Sequence, residues 1–432
     1  MKLANMRRWI VLLIISVSGG VSFDLAYLRF VYQIPMVEHM GFTNMQVGLI
    51  MSTFGMSAIL FYAPSGIIAD KFSHKYMMTG SMLATGLLGL LMSTFPSFEV
   101  MIAIQFGFAI TTILTLWSVT LKAASLLGSF EEQGAIMGWM EGMRGIGVMV
   151  LALLTMWVFT SMDKAGASAN GLRSVILIYS IVYIALAALC WIFVDHGYGS
   201  EEVKRPQITM QDILGVLARK TTWLCSAIVM GVYSIYAILS YSTNYLVEHY
   251  GMNLATASFI GVLINKVFRA ICGPAGGLIT TYSPIKSSTR VLRLGAILSL
   301  ATIMGLIFLN RNPQSVGLAI GLILVVTFVC MASRGLYWAT IGEVKTPLHI
   351  TGTTIGVVSV LGFLPDIFVY PVVGHWQDTL PAEQAYQNMW LMAFAAMSLV
   401  VIATTLLYRE IRQQKSNDEQ SEAQLQAESY GK

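Results

Sequence analysis

Residues 66–75 read Gly66-Ile67-Ile68-Ala69-Asp70-Lys71-Phe72-Ser73-His74-Lys75. Its polar, basic part, 70–75, lies between two long apolar stretches, 45–69 and 76–95. It is too short to be anything but a tight connection, so the two stretches are consecutive elements that reverse direction across it. A bilayer core takes about 20 apolar residues per helix. Backbone groups in lipid must bond within their own segment, which makes these stretches helices. Extending the same reading in both directions gives spans at 9–35, 45–69, 76–95, 99–126, 134–161, 172–194, 222–247, 254–281, 291–309, 314–341, 350–374 and 385–408.

The composition agrees. Of 432 residues, 56% are hydrophobic and 11% charged, against about 25% charged in soluble domains. The net charge of +4 is carried in short loops, which argues against a nucleic-acid partner. Cys190, Cys225, Cys272 and Cys330 each fall within an apolar run, and no Cys or His spacing suits a metal. No cofactor is expected. There is no nucleotide loop and no nucleophile constellation, so an enzyme is not expected either. The apolar stretch from Trp9 follows Arg7 and Arg8 without a small-residue cleavage site, and reads as a retained first span.

The polar segment around residue 208 divides the chain. The expected units are a six-helix bundle over 1–195, a cytoplasmic linker over 196–221, a second six-helix bundle over 222–408 and a disordered tail over 409–432. Pro64-x-Gly66 is echoed by Pro274-x-Gly276, and Gly134-x3-Gly138 by Gly352-x3-Gly356, in corresponding spans. Internal repeats of this kind are common in secondary transporters. With the N-terminus inside, one side collects nearly all loop lysines and arginines, and the other only Lys164, Arg173 and Arg311. Both termini are therefore expected to be cytoplasmic.

The stretch 66–75 resembles the signature G-x-x-x-D-[RK]-x-G-x-[RK] of the Major Facilitator Superfamily, with Ser73 in place of its second glycine. The resemblance implies an all-α membrane protein of twelve helices in two pseudo-symmetric bundles, monomeric and housed in a bacterial inner membrane. It implies a gating role for Gly66, Asp70, Lys71 and Lys75, with Asp70 facing the start of span 11 near Thr351 and Gly352. Span 5 reads Gly138-Trp139-Met140-Glu141-Gly142-Met143-Arg144-Gly145. It lacks the proline of the drug/proton antiporter pattern, which disfavours drug efflux. The run Arg334-Gly335-Leu336-Tyr337-Trp338, with Thr351–Gly356 and Gly362–Asp366, is similar to the YihN-like branch of bacterial inner-membrane permeases.

A charge at the bilayer centre costs at least about 2.5–3.5 kcal/mol, so each one asks for a function or a partner. Asp24, Arg29, Glu141, Arg144, Lys266, Arg269, Arg334 and Asp366 lie within spans, giving a net interior charge of +2. Glu141 and Arg144, at i,i+3, suit a structural ion pair. Lys266 and Arg269 share a face and need an anion or a carboxylate between them, with Asp366 as a candidate. Asp24, Glu141 and Asp366 are candidate proton carriers. Arg29, Lys266, Arg269 and Arg334 are candidate substrate contacts, with Tyr233 and Tyr236 of span 7 beside them. Tyr245 reads as an anchor at the membrane interface.

The positive interior points to a small organic anion, either a carboxylate, a sulfonate or a phosphorylated metabolite. It would move with protons or in exchange for a counter-anion. The alternative is proton-linked transport of a neutral sugar or nucleoside, in which the same charges are salt bridges and relays. A transporter-like sensor that moves nothing would need a larger soluble surface than the linker and tail provide.

Overall fold

The computed structural model describes residues 2–127, 133–195, 210–268, 272, 279–280, 285, 287–309, 312–344, 346 and 348–430. Its helices are α1 (Lys2–Val21), α2 (Arg29–Met40), α3 (Asn44–Lys71), α4 (His74–Met92), α5 (Phe98–Ser125), α6 (Gln133–Lys164), α7 (Ser168–Phe193), α8 (Met210–Ala218), α9 (Lys220–Leu239), α10 (Leu254–Val267), α11 (Ser288–Phe308), α12 (Val316–Leu336), α13 (Leu348–Gly362), α14 (Pro365–Thr379) and α15 (Ala382–Tyr430). Among the described residues, nine helical segments are long and apolar enough to cross a membrane. The fold is therefore all-α and multi-pass. The other expected spans correspond to α1 and α2 joined by a turn, to the 19-residue α4, and to α10, which is described only to Phe268.

Helices before residue 195 pack largely with one another, as α4 on α7 and α1 on α6, and those after 220 do the same, as α9 and α11 on α15. The main contact between the two groups is α3 against α14. Local sequence starts α3 cleanly: Thr43 and Gln46 form a reciprocal capping box. Gly41 turns the chain before it in the left-handed region, at φ 73°.

Small residues let α3 and α14 touch along their backbones. A Cβ on Gly48 would lie 2.4 Å from the Tyr370 carbonyl oxygen, and one on Gly374 would lie 2.4 Å from that of Asn44. Farther along α3, a Cβ on Gly55 would meet Asp366 Cβ at 2.5 Å. Ser52 Oγ donates to the Ile367 carbonyl at 2.8 Å within this interface. Such close approach is how helices associate in lipid, where no hydrophobic drive exists between them. At the end of the interface Asp378 caps α3 from the other group of helices. Its carboxylate accepts from Asn44 N at 3.0 Å, Asn44 Nδ2 at 3.0 Å and Met45 N at 2.8 Å.

Two expectations are corrected here. The segment after Tyr408 continues as helix to Tyr430 instead of ending in a disordered tail, because its Glu, Gln, Lys and Ala residues are strong helix formers extending an existing helix. Tyr245 is not an interface anchor. It is 1% exposed and stacks with His249 amid Tyr250, Tyr386 and Trp390.

The interlock makes a direct prediction. Asp378→Ala removes a helix cap, a loss of about 0.5–2 kcal/mol, and Gly48→Val has no room at all. A cysteine replacing buried Ser52 is expected to react faster with maleimide in either background. Unchanged labelling would show that this contact does not hold the two groups of helices together.

Candidate functional site

The intramembrane charges gather where helices break. Span 1 is not one helix: residues 22–28 form a turn between α1 and α2, and Asp24 sits in that turn. Upstream, Gly20 brings α1 against α6, where a Cβ would lie 2.8 Å from Arg144 Cγ. Lys266 lies in a π turn, Leu263–Val267, at the end of α10. The π form is a frequent mark of functional positions inside helices. Lys266 Nζ donates to Asp24 Oδ1, and the two side chains are 13% and 3% exposed. The sequence reading offers Asp366 as the protein partner of Lys266; the partner is Asp24 instead. Arg269, the other half of that like-charged pair, lies outside the described residues.

Asp366 stands in the first turn of α14, directly after Pro365. Pro fits a first helical position because its missing N–H would be unpaired there anyway, and a carboxylate there faces the positive end of the helix dipole. Tyr233 Oη donates to Asp366 Oδ2 at 2.9 Å and Tyr370 Oη to Oδ1 at 3.0 Å. The carboxylate is 5% exposed and has no ion pair among the described residues.

Beside it stands Arg334, on the last turn of α12. Its guanidinium lies 3.8 Å from the ring centre of Tyr236 and 5.4 Å from that of Tyr233. Those two rings are 5.5 Å apart on one face of α9. Arg334 Nη1 is buried and has no hydrogen-bond partner among the described residues. Stacking on tyrosine faces contributes about 0.5–2 kcal/mol, but it leaves that N–H donor unsatisfied. Phe363 closes the group, 4.7 Å from Tyr233, with Trp338 behind it. Phe30 of α2 reaches across to Tyr236 at 5.7 Å, so both groups of helices contribute walls.

Arg29 lies among aromatic rings and polar side chains. It is sandwiched between Tyr241 at 4.2 Å and Tyr370 at 4.6 Å, and it donates to Ser240 Oγ at 3.1 Å and Gln33 Oε1 at 2.6 Å. Gln33 in turn donates to Asn44 at 2.8 Å and Gln377 at 3.1 Å. Arg29 is therefore tied to the Asp378-capped end of the interlock. Arg144 donates to Glu141 at 3.1 Å and lies 4.7 Å from the Trp117 ring. The Glu141 side chain is 62% exposed.

In the signature stretch, Lys71 is exposed and Lys75 Nζ lies 4.9 Å from the Trp191 ring. Gly66 is half-buried in α3. The side chain of Asp70, and with it the expected contact near Gly352, lies outside what is described. Sequence reasoning missed Gln33, inside α2, and Asn44 and Asp378, at the ends of α3 and α14, because they look like ordinary polar residues. Tyr370 could have been found, since it stands at i+4 from Asp366.

Residues 13–326 match the family described as the Major Facilitator Superfamily. The chain belongs to that superfamily: it is a multi-pass inner-membrane transporter that moves a small molecule by alternating access. It is 60% identical over 409 residues to the inner membrane protein YqcE of Escherichia coli (strain K12), covering 94% of this chain and 96% of that one. It is 29% identical over 417 residues to the inner membrane protein YihN of the same strain, covering 95% and 97%. Among solved structures it resembles a bacterial homolog to the human lysosomal transporter Spinster in an inward-facing and occupied conformation. The TM-score is 0.72 at 15% identity, over 94% of this chain and 97% of that one.

Removing a donor from a buried acceptor costs about 1–3 kcal/mol. Tyr233→Phe and Tyr370→Phe should each lower thermal stability by that order, and Asp366→Asn should blunt the effect of both. Additive losses that Asp366→Asn leaves untouched would mean the hydroxyls act elsewhere.

Proposed function

We propose that this chain is a twelve-helix, two-bundle transporter of a small organic anion, with the substrate held against Arg334. The observation that carries the reading is the buried Nη1 of Arg334, a cationic donor on a tyrosine platform with no hydrogen-bond partner among the described residues. A guanidinium is always charged and offers planar, paired donors that match carboxylate, sulfonate or phosphate oxygens. Burying it with a donor unmet is costly unless a ligand arrives to meet it. The faces of Tyr233, Tyr236 and Phe363 would flank the ligand's carbon skeleton, as concave sites use apolar walls around a few polar anchors.

The loop charge bias supports an orientation with both termini in the cytoplasm. In that orientation the α3–α14 interlock lies at the periplasmic end, and the site would load from the cytoplasmic side in this conformation. The neutral-solute reading keeps one supporting feature, the Asp366 carboxylate with its two tyrosines, which could accept from substrate hydroxyls.

A thermal-shift screen decides between them. A ligand at 100 times its Kd stabilises by about 2.7 kcal/mol. Succinate, 2-hydroxyethanesulfonate and glycerol 3-phosphate are expected to include a stabiliser, neutral sugars and nucleosides are not, and Arg334→Ala should abolish the shift. Stabilisation by a neutral sugar that survives Arg334→Ala would replace this reading with the alternative.

A further inference from the structure

We infer that the transported anion is hydroxylated, and that Asp366 accepts from its hydroxyl groups while Arg334 holds its charge. This inference rests on the anion reading above and narrows its substrate class to hydroxy acids, with sugar acids and sugar phosphates as the larger members. The two anchors share one side chain. Tyr233 turns its ring toward the Arg334 guanidinium at 5.4 Å and gives its hydroxyl to Asp366 Oδ2 at 2.9 Å. Opposite charges thus stand on two sides of one tyrosine, and they are not ion-paired with each other.

Had they paired, each would have met the needs of the other. Instead Arg334 Nη1 is buried with no hydrogen-bond partner among the described residues, and the carboxylate takes neutral donors from Tyr233 and Tyr370. An ionised carboxylate offers about four lone-pair sites. Two hydroxyls fill one site on each oxygen, which leaves acceptor capacity on both. The start of α14 already favours the negative charge, so a neutral O–H donor suits the remaining sites and no second cation is needed.

The backbone fixes this acceptor beside the anion anchor. Span 11 breaks at residues 363–364, between α13 and α14, and Phe363 and Asp366 lie three residues apart across that break. Gly362 seats the break on α9, because a Cβ there would collide with Val229 Cγ1. Val229, Tyr233 and Tyr236 follow at i, i+4 and i+7 along one face of α9. From the other group of helices, Gly55 lets α3 close on Asp366 Cβ. A ligand that meets both anchors must therefore carry its charge and its hydroxyls on one short skeleton. Tyr236, Phe363 and Trp338 give that skeleton flat apolar surfaces for its C–H groups. A plain alkyl anion would meet Arg334 and the rings but bring no donor to Asp366.

The experiment measures Kd for the full-length purified protein with matched pairs that differ only in hydroxyl groups: glycerate against propionate, glycerol 3-phosphate against propyl phosphate, and 2-hydroxyethanesulfonate against ethanesulfonate. In each pair that binds, the hydroxylated member is expected to bind about tenfold more tightly or better, as at sites built to hydrogen-bond a substrate hydroxyl. Arg334→Ala should weaken both members together. Asp366→Asn should weaken the hydroxylated member toward its alkyl partner and leave the alkyl member unchanged, a split that loss of structure does not produce. If Asp366→Asn fails to fold, Asp366→Ser takes its place with the same expectation, and the comparison within each pair needs no variant. Equal affinity within the pairs, a gap that survives at Asp366→Asn or Asp366→Ser, or tighter binding of 3-aminopropionate than of glycerate overturns this inference while leaving the Arg334 reading in place. Failure of every anion to bind, or binding indifferent to Arg334→Ala, overturns the anion reading and this inference with it.

Discussion

Everything about this conformation depends on two helices from different parts of the chain lying backbone to backbone. Gly48 and Gly55 on α3 and Gly374 on α14 have no side chain to hold the helices apart, and a Cβ at any of them would fall within about 2.5 Å of the other helix. Asp378 then satisfies the free amides at the start of α3, a task normally done by a residue of the same helix. One end of the protein is thereby closed. The contact sets Tyr370 of α14 6.1 Å from the Phe30 ring and Asp366 against Gly55 of α3.

The charges beneath that closure are each handled by a different physical device. Asp24 is neutralised by an opposite charge. Asp366 is met by two hydroxyl donors and the start of a helix. Arg29 is held between aromatic faces, the Ser240 hydroxyl and the Gln33 amide oxygen, while its Nε has no hydrogen-bond partner among the described residues. Arg334 has an aromatic face, and its Nη1 has no hydrogen-bond partner among the described residues. A low-dielectric interior penalises polar groups in proportion to what they leave unpaired.

Arg29 also connects the two levels. Through Gln33 it reaches Asn44 and Gln377, and Gln377 donates to Tyr386 at 2.9 Å. Through the Tyr370 ring it borders Asp366. A change in the hydrogen bonding of Asp366 thus has a short physical path to the capped end of α3, by way of one tyrosine and one arginine. The network is contiguous and its members come from α2, α3, α14 and α15, so it spans the boundary that moves in alternating access.

The sequence alone determined the membrane as solvent, the helical class, the superfamily and the short list of interior charges. These are legible because lipid imposes strong local rules: length of apolar run, absence of charge, and a polar signature at a fixed loop. The i,i+3 relation of Glu141 and Arg144 is also local, since one helix sets it. Only the tertiary structure decided that Lys266 meets Asp24 and not Asp366, and that Arg29 braces the closed end. Only it placed Asp378 on the cap of a helix more than 300 residues away. Partners on different helices are chosen by how the two groups of helices pack, and no spacing along the chain encodes that. Breaks such as the turn at 22–28 and the π turn at Leu263–Val267 escape sequence reading for a related reason. Their residues suit an ordinary helix, and the irregular backbone appears only once the helices are packed.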